Sequence, residues 1–355
     1  MSLALSDEER MLRDTVRDLL AEHSPVAQVR RLRDDPESTG YDPKVWRRLI
    51  ELGVTELLLP NSDGAFAAGV VARELGRNLV ASPFLATSTA LSILASDDVT
   101  APAGLLDGVV AGAALVVPAF GEGGHHDDRP PVTSATAGYA LTGTKHHVPL
   151  GTVADVLLVT ATLDGAAALF AVEAAAVERR PARLMDTQPR ARVDLAQTPG
   201  TLLGPAAEVL RTAQLRTTAL LAAEMLGSAE AAFALTIAHL QQREQFGVLI
   251  GSFQALQHRA ARLYVEIELG TSLTLEALRM LDAGDPEAPV AVSAAKAFMS
   301  ELGLAVTAEG VQLHGGMGMT DEVDIGLYLK RARVAAAELG DRSYHHRVVA
   351  AARGL

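Results

Sequence analysis

The sequence REQFGVLIGSFQALQH, residues 243–258, lies between two long segments that contain no proline. Arg243 falls in the last turn of the first predicted helix, where the helix dipole stabilises a cation. Gly247 suits the C′ position that ends a helix, and Ser252 suits the N-cap that begins the next one. The stretch therefore predicts two long helices joined by a short turn, an arrangement typical of helical bundles.

A turn alone does not account for the other residues of this stretch. An arginine at a helix end presents a fork of donors that matches a phosphate, so Arg243 is a candidate phosphate ligand. Phe246 beside it can pack on a flat ring. Gln254 and His258 also lack a structural explanation in the sequence.

A second unusual segment, EGVQLHGGMGMTDEVD, occupies residues 309–324 and interrupts a helical pattern with Gly315, Gly316 and Gly318. Each glycine in a helix interior costs about 1 kcal/mol relative to alanine. Glycines also let backbone N–H groups approach an anion without an intervening Cβ. The segment is either a plain connection between helices or a loop that contacts a bound dinucleotide.

The chain of 355 residues divides into three stretches by pattern. Residues 1–110 read as a helical domain, with Ser6 as the N-cap of DEERMLRDTVRDLLAEH. Residues 111–205 contain short runs rich in valine, leucine and threonine, such as ADVLLVTATL, which predict a small β-barrel or sandwich. Residues 206–355 predict four helices, over about 207–245, 252–283, 287–312 and 321–353.

The motif of residues 243–258 resembles the signature of the FAD-dependent acyl-CoA dehydrogenases, and so does QLHGGMGMTDE at 312–322. ARELGRNLVASPFLAT (72–87) resembles the N-terminal helical domain of that family, and LTGTKHHVPLGTVADVLLVTA (141–161) resembles its central β-domain. The resemblance implies an α+β fold. Its parts are an N-terminal helical domain, a central small β-barrel domain and a C-terminal four-helix bundle.

The resemblance also implies FAD as cofactor, bound across a subunit interface. Arg243, Phe246 and Gln254 would hold the pyrophosphate and adenine of one FAD. The second motif would approach the FAD of a neighbouring subunit; its residues are Gln312, Leu313, His314, Gly315 and Gly316. His147 occupies the place of a flavin-facing aromatic residue, where it either stacks on the isoalloxazine or is a partly exposed strand histidine. Pro149 replaces a threonine that would hydrogen-bond the flavin.

The expected positions of the catalytic base depart from the pattern of the family. Gap-free counting from the glycine motif puts Leu339 where many family members have glutamate, and Glu338 is one position away, about 100° around a helix. Other members place the glutamate where this chain has Thr217. Glu224 lies two turns further, in the apolar run LLAAEMLG. It is either a base whose pKa burial raises, or a structural carboxylate paired with an arginine.

Two functions follow from the resemblance. The chain either oxidises an acyl-CoA substrate to its 2-enoyl thioester and passes electrons to an electron-transferring flavoprotein or similar acceptor, as a homo-oligomer, or it is the non-catalytic half-site subunit of a heterotetramer (α2β2) with a larger acyl-CoA dehydrogenase subunit. The short chain and the altered flavin and base positions fit the second role. A weaker alternative keeps the fold for flavin monooxygenation or for carrier-protein thioesters.

Composition limits the remaining classes. The net charge of −12 argues against a nucleic-acid partner, because phosphate backbones require a basic surface. With no cysteine, the chain has no disulfide or thiol nucleophile. No signal peptide or membrane span is expected, so we predict a cytoplasmic protein. The segment HHDD at 125–128 reads as a solvated loop rather than a metal site, and we expect no metal.

Overall fold

The computed structural model describes residues 4–35, 37–60, 64–124, 126 and 129–355. The first third is helical, as the sequence predicts, with a first helix whose N-cap Ser6 forms a capping box with Glu9. The helices are α1 (Asp7–His23), α2 (Ala27–Asp34), α3 (Pro43–Glu51), α4 (Val54–Leu57), α5 (Ala65–Arg77), α6 (Phe84–Leu94) and α7 (Leu105–Val110).

The middle of the chain forms an eight-stranded sheet around one hydrophobic core, which is the predicted β-domain. Its strands are β1 (Val116–Ala119), β2 (Ser134–Ala135), β3 (Ala140–Pro149), β4 (Val156–Leu163), β5 (Ala166–Glu173), β6 (Glu178–Arg183), β7 (Pro189–Pro199) and β8 (Thr201–Pro205). The strand order is β6-β7-β3-β2-β4-β5-β8, and β1 pairs in parallel with β4. β2 also runs parallel to β4, and the other neighbouring strands are antiparallel.

The last part of the chain is helical again, with one two-stranded hairpin after the first helix. The elements are α8 (Ala207–Gln242), β9 (Glu244–Gln245), β10 (Val248–Leu249), α9 (Gln254–Asp282), α10 (Ala288–His314), α11 (Ile325–Ala337) and α12 (Arg342–Ala352).

Two boundary predictions in this part are wrong. Ser252 does not cap α9, because Phe253 occupies the N-cap position and the Ser252 hydroxyl instead donates to the carbonyl of Leu249. The predicted fourth helix is two helices. The chain turns between them where Leu339 and Gly340 have φ of 54° and 100°, and Asp341 caps the second helix.

The chain contacts divide the described residues into two compact units. Residues 4–28, 69–80 and 218–355 form what we call the helical unit, and residues 29–68 and 81–217 form the sheet unit. Both units are discontinuous in sequence, so the division into domains 1–110, 111–205 and 206–355 stays a prediction. All strands of the large sheet lie within the predicted central segment.

Two helical segments, Ala207–Gln242 and Ala288–Met319, reach the length and hydropathy of a membrane span. In each of them 61% of the apolar window is buried inside the protein. Core helices of globular proteins have this property, because their apolar sides pack against other helices.

Candidate functional site

The motif at 243–250 folds into a tight hairpin between α8 and α9. Gln245 pairs with Val248, so the two-residue loop consists of Phe246 and Gly247, with φ of 57° and 80°. Two positive φ values define a type I′ turn, which glycine tolerates and phenylalanine does not favour. The Phe246 ring is 91% exposed. An exposed aromatic residue held in a strained backbone conformation is typical of a binding site.

The other residues of the first motif surround this hairpin. The Arg243 carbonyl accepts a hydrogen bond of 2.8 Å from the Ile250 amide, which closes the hairpin at the end of α8. The Arg243 side chain is exposed, and among the described residues its guanidinium has no ion-pair partner. The rings of Phe246 and Phe253 meet edge to face at 6.2 Å, and exposed Gln254 begins α9 directly behind them.

The glycine motif caps α10 and divides into an open part and a packed part. Gly315 has φ 63° and ψ −141°, and a Cβ added at Gly315 or Gly316 would meet no atom within 4 Å. A Cβ at Gly318 would instead press on the carbonyl of Val311. Gln312 is exposed, whereas the Leu313 and His314 side chains that follow it are buried and fix the end of the helix.

A histidine pair joins the two motifs. His314 of α10 stacks on His239 of α8, one turn before Arg243, with ring centroids 4.3 Å apart. Nδ1 of His314 lies 2.7 Å from the Gly310 carbonyl and therefore carries the proton, which leaves Nε2 as a buried acceptor with no partner among the described residues. Burial, and then the neighbouring His314 and Arg243, lower the pKa of His239. Both motifs thus lie at one end of the helical unit.

The chemistry of this end fits an anionic dinucleotide. It offers an uncommitted guanidinium, two glycine positions with free space around them, an exposed amide side chain and an exposed aromatic ring. The guanidinium suits the phosphates of FAD, and the open glycines allow backbone amides to approach them. The aromatic ring can pack on the flat base. Both motifs belong to the same end of the helical unit, and the expectation that they contact the FAD molecules of different subunits stays a prediction.

The two candidate bases meet at one arginine. Glu224 of α8 accepts hydrogen bonds of 2.8 and 2.7 Å from Nε and Nη2 of Arg331, which lies on α11. The third nitrogen of Arg331 lies 3.1 Å from Glu338, at the end of the same helix. The side chains of Glu224 and Arg331 are only 13% and 5% exposed. This arrangement corresponds to the structural alternative for Glu224, a carboxylate paired with an arginine, rather than to a free catalytic base.

Neither of the two positions where the resemblance places a glutamate carries an acid in this chain. Leu339 lies in the turn between α11 and α12 with φ 54°. Thr217 is buried on α8, where its hydroxyl bonds the Ala213 carbonyl and lies 2.9 Å from the hydroxyl of Thr89. Both positions therefore have a structural role in the backbone turn or in helix packing.

A buried lysine that was not predicted as a site residue supports the turn at Leu339. The Lys296 ammonium donates to the Ser300 hydroxyl at 3.1 Å and to the Gly340 carbonyl at 3.0 Å. Burial lowers its pKa to about 8. In the sequence, the only sign of such a role for Lys296 and Arg331 is that each is a charged residue within an apolar helical stretch, SAAKAFM and LYLKRARVAAA. Their partners are distant in sequence and were not predicted.

The sheet unit contains the remaining candidate, His147. It lies exposed on β3 with φ 54°, inside the register shift between Lys145 and Val148. Such β-bulges redirect side chains and are common next to binding sites. The His146 amide donates to the Gly121 carbonyl at 2.7 Å and so ties the preceding loop to this bulge.

The loop before the bulge is anchored by a buried ion pair. The Lys145 ammonium is fully buried and bonds Glu122 at 2.6 Å and the Thr160 hydroxyl at 3.1 Å. Further along this loop, in the HHDD segment, His125, Asp127 and Asp128 lie outside the described residues. Within the described part of the chain, no group of His, Asp and Glu side chains could hold a metal ion.

Comparison with known proteins identifies this architecture. The acyl-CoA dehydrogenase N-terminal domain matches residues 6–97, and the acyl-CoA dehydrogenase C-terminal domain matches residues 209–353. The acyl-CoA dehydrogenase IpdE2 of Mycobacterium tuberculosis is 36% identical over 343 residues, which cover 93% of this chain and 92% of the relative. The chain belongs to the acyl-CoA dehydrogenase family.

Two solved structures share the fold over almost the whole chain. A steroid acyl-CoA dehydrogenase variant, Tcur3481-Tcur3483, superposes with a TM-score of 0.87 at 29% identity and covers 98% of both chains. The ChsE4-ChsE5 complex of Mycobacterium tuberculosis also gives a TM-score of 0.87, at 26% identity, covering 100% of this chain and 99% of the other. The predicted fold, the family and its class of FAD-dependent oxidoreductases acting on CH–CH bonds are confirmed.

Proposed function

We propose that the chain takes part in the α,β-dehydrogenation of an acyl-CoA thioester as the short subunit of a heteromeric acyl-CoA dehydrogenase, which acts in the cytoplasm. In this role it contributes half of a shared FAD site, and the larger subunit supplies the base that removes the α-proton. Stand-alone catalysis by a homo-oligomer is the alternative. Bound FAD supplies the hydride acceptor for the Cβ hydrogen, and the electrons leave through an electron-transferring flavoprotein or a similar acceptor.

The observation that carries this proposal is the pairing of both candidate bases with Arg331. A carboxylate that accepts two charge-assisted hydrogen bonds is stabilised in its ionised form and held in place, so it is a poor base for a substrate carbon. Leu339 and Thr217, at the two family positions, cannot act as carboxylate bases. These observations support our proposal that the base comes from a second polypeptide.

The chain carries more of the residues expected to bind the nucleotide than of those expected to act in catalysis. In our proposal Arg243 binds the FAD pyrophosphate, Phe246 packs against adenine, and the Gly315 and Gly316 amides approach the same nucleotide. Gln254, Gln312, Leu313 and His314 support them at this end of the helical unit. His147 is the proposed flavin-stacking residue, as the family resemblance implies. In our proposal the chain thus supplies its half of the FAD contacts, and the larger subunit supplies the other half and the base.

The related structures support a more specific proposal for the substrate class and for the assembly. One neighbour is described as a steroid acyl-CoA dehydrogenase, and another is a complex of two different proteins. We propose a steroid-derived acyl-CoA as the substrate class and an α2β2 heterotetramer as the assembly. A large rigid acyl group needs a wide pocket, and loss of side chains such as the usual glutamate in one subunit is compatible with that need.

Co-expression with a larger acyl-CoA dehydrogenase subunit encoded beside this chain tests the proposal. We expect the mixture to copurify, to show the flavin absorbance band and to be bleached under anaerobic conditions by a steroid-type acyl-CoA. The chain alone should not reduce bound FAD with any acyl-CoA. Bleaching of the isolated chain would support the homo-oligomeric alternative, and a mixture without colour after FAD reconstitution would contradict both.

A further inference from the structure

The chain turns sharply between β3 and β4, directly after the register shift that carries His147, which we call the β3 bulge. Leu150 has φ 53° and His147 has φ 54°, so two residues of one short stretch adopt a left-handed backbone that is uncommon for residues other than glycine. The amides of Val153 and Ala154 both donate to the Leu150 carbonyl, at 2.9 and 3.0 Å, and close one helical turn. We call residues 150–154 the β3–β4 turn.

A helical turn that ends abruptly leaves carbonyl groups without intrahelical donors. In the β3–β4 turn, the carbonyls of Gly151, Thr152 and Ala154 all accept from one nitrogen of Arg179. Nη1 of this arginine lies 3.2, 3.2 and 3.1 Å from the three oxygens. Arg179 is half-buried on the strand β6, at the edge of the sheet. It therefore caps the turn in the way that a cation caps the last carbonyls of a helix.

Two neighbouring arginines at this edge of the sheet serve a different purpose. Arg180 pairs with Glu178 at 2.7 Å on β6, and Arg192 pairs with Asp194 at 2.9 Å on β7. Arg179 has no ion-pair partner among the residues that the structure describes, so its hydrogen bonds there go to backbone carbonyls alone. Such charge-assisted bonds are stronger than those between neutral groups. This pattern fixes a turn rather than balancing surface charge.

The strained segment between the β3 bulge and the β3–β4 turn is held at both ends. Before it, the fully buried ammonium of Lys145 forms the ion pair described above. Within it, Pro149 ends β3 and has no N–H to donate to β7, so the next hydrogen bond is that of the Leu150 amide to the Pro189 carbonyl, at 2.9 Å. Strained backbone persists only where its surroundings hold it. After this segment, Arg179 is the side chain that holds the turn.

We propose that Arg179 is a positioning residue, which caps the β3–β4 turn and thereby keeps the β3 bulge in place and His147 in its orientation toward the flavin. The inference rests on the proposed function, in which His147 stacks on the isoalloxazine. Arg179 contacts neither the substrate nor the cofactor in this role. Its effect passes through the backbone between residues 147 and 154.

Hydrogen exchange of the full-length chain without FAD tests the cap. Arg179→Met should raise the exchange rate in peptides over 150–155 at least about tenfold, because the amides of Val153 and Ala154 then belong to a turn that opens more often. Arg179→Lys should restore part of the protection, since an ammonium also donates to carbonyls. Arg180→Met is the matched control, because it removes the adjacent arginine of the same strand, and it should leave this exchange unchanged. Unchanged exchange in Arg179→Met overturns the proposal.

A double-mutant cycle on FAD affinity tests whether Arg179 acts through His147. In the complex with the larger subunit, Arg179→Met and His147→Ala should each raise the Kd of FAD about fivefold, as measured by flavin fluorescence. The double variant should bind FAD about as well as the weaker single variant, because both changes remove the same contact. Arg180→Met should bind FAD like the wild type. If the losses of the two single variants multiply in the double variant, Arg179 does not act through His147.

The ring signals of histidine in the selectively labelled full-length chain separate this inference from the proposed function. The signal of His147 is the one that is missing in His147→Ala, and Arg179→Met should shift it. If it shifts but His147→Ala leaves FAD affinity unchanged, the flavin contact in the proposed function is wrong and the positioning by Arg179 stands. If His147→Ala weakens FAD binding but Arg179→Met changes neither the signal nor the affinity, the positioning by Arg179 is wrong and the flavin contact stands.

Discussion

Arg331 holds Glu224 with two hydrogen bonds, 2.8 Å from Nε and 2.7 Å from Nη2, between two helices that are distant in sequence. The pair connects α8 and α11 in a region from which water is largely excluded, since the side chains of Glu224 and Arg331 are only 13% and 5% exposed. A buried ion pair that is intact contributes little to stability, but breaking it leaves an uncompensated charge and is costly. The pair therefore predicts a stability effect rather than a catalytic one.

Glu224→Gln should lower the free energy of unfolding by about 3 kcal/mol, because Arg331 keeps its charge and loses its main partner. Flavin reduction by acyl-CoA, expressed per bound flavin in the complex, should stay within about twofold of the wild type. Thermal unfolding and anaerobic stopped-flow absorbance measure the two effects.

The matched control is Glu208→Gln, which removes an exposed ion pair with Arg211 near the start of the same helix. Exposed pairs contribute little, so its melting temperature should equal that of the wild type. If Glu224→Gln instead abolishes flavin reduction while melting normally, Glu224 is the base and the heteromeric base assignment is wrong.

The exposed ring of Phe246 predicts a change in affinity without a change in stability. Phe246→Gly keeps the positive φ of the turn and removes the ring, so the hairpin should persist while FAD binds about tenfold more weakly. FAD titration of the apo complex, followed by flavin fluorescence, measures the affinity. Val248→Ala in the facing strand alters the same hairpin without touching the ring and serves as control. Equal FAD affinity in the Phe246 variant would remove this residue from the nucleotide site.

The sequence predicted the elements that depend on local signals. The capping box at Ser6, the strands at 116–205 and the long helices on either side of residues 243–258 all follow from caps, alternation and turns. The break at Leu339 was missed because leucine rarely adopts a positive φ, so no local signal marks it. Tertiary hydrogen bonds from Lys296 hold this turn.

The candidate site was predictable only where a motif is contiguous. Arg243, Phe246 and the glycines could be proposed as site residues because they lie in two short segments, whereas the role of Glu224 depends on a partner about a hundred residues away. The stacking of His239 on His314 likewise joins two helices and leaves no trace in either motif alone. Contacts of this kind are decided by packing, which sequence periodicity does not specify.

The lowered pKa of His239 predicts a loss of stability in mild acid. In the unfolded chain the imidazole takes up a proton near its ordinary pKa of about 6.5, whereas in the folded chain burial, His314 and Arg243 delay this uptake. The unfolded state then binds more protons, so the free energy of unfolding falls as the pH decreases below about 6.5. His239→Phe keeps an aromatic stack and removes the titration. Urea unfolding between neutral pH and pH 5 should show a shallower decrease for this variant, and identical slopes would contradict the assignment.

The lowered pKa of Lys296 predicts a change in stability in alkaline solution. Its pKa is lowered to about 8 from 10.5, chiefly by burial. Between these values the unfolded chain retains a proton that the folded chain has released, so stability should rise with pH, by at most about 1.4 kcal/mol per pH unit. Lys296→Met has no such proton. The difference in unfolding free energy between wild type and variant, measured from pH 7 to pH 10, should grow in favour of the wild type above pH 8. A constant difference would show that the ammonium keeps its ordinary pKa.

The helices α5 and α8 cross at two glycines, and this crossing predicts a large packing effect. A Cβ at Gly227 would overlap the backbone carbonyl of Arg73, and one at Gly76 would overlap that of Glu224. Backbone atoms cannot rotate away as a side chain can, so Gly227→Ala must separate the helices and should cost several kcal/mol.

Gly303→Ala is the matched control, because the new Cβ would lie at an ordinary 3.8 Å from Ala332 within a helix. Alanine favours a helix by up to about 1 kcal/mol over glycine, so this control should melt at the same temperature or higher. Equal melting temperatures for the two variants would mean that α5 and α8 do not approach as closely as the structure places them.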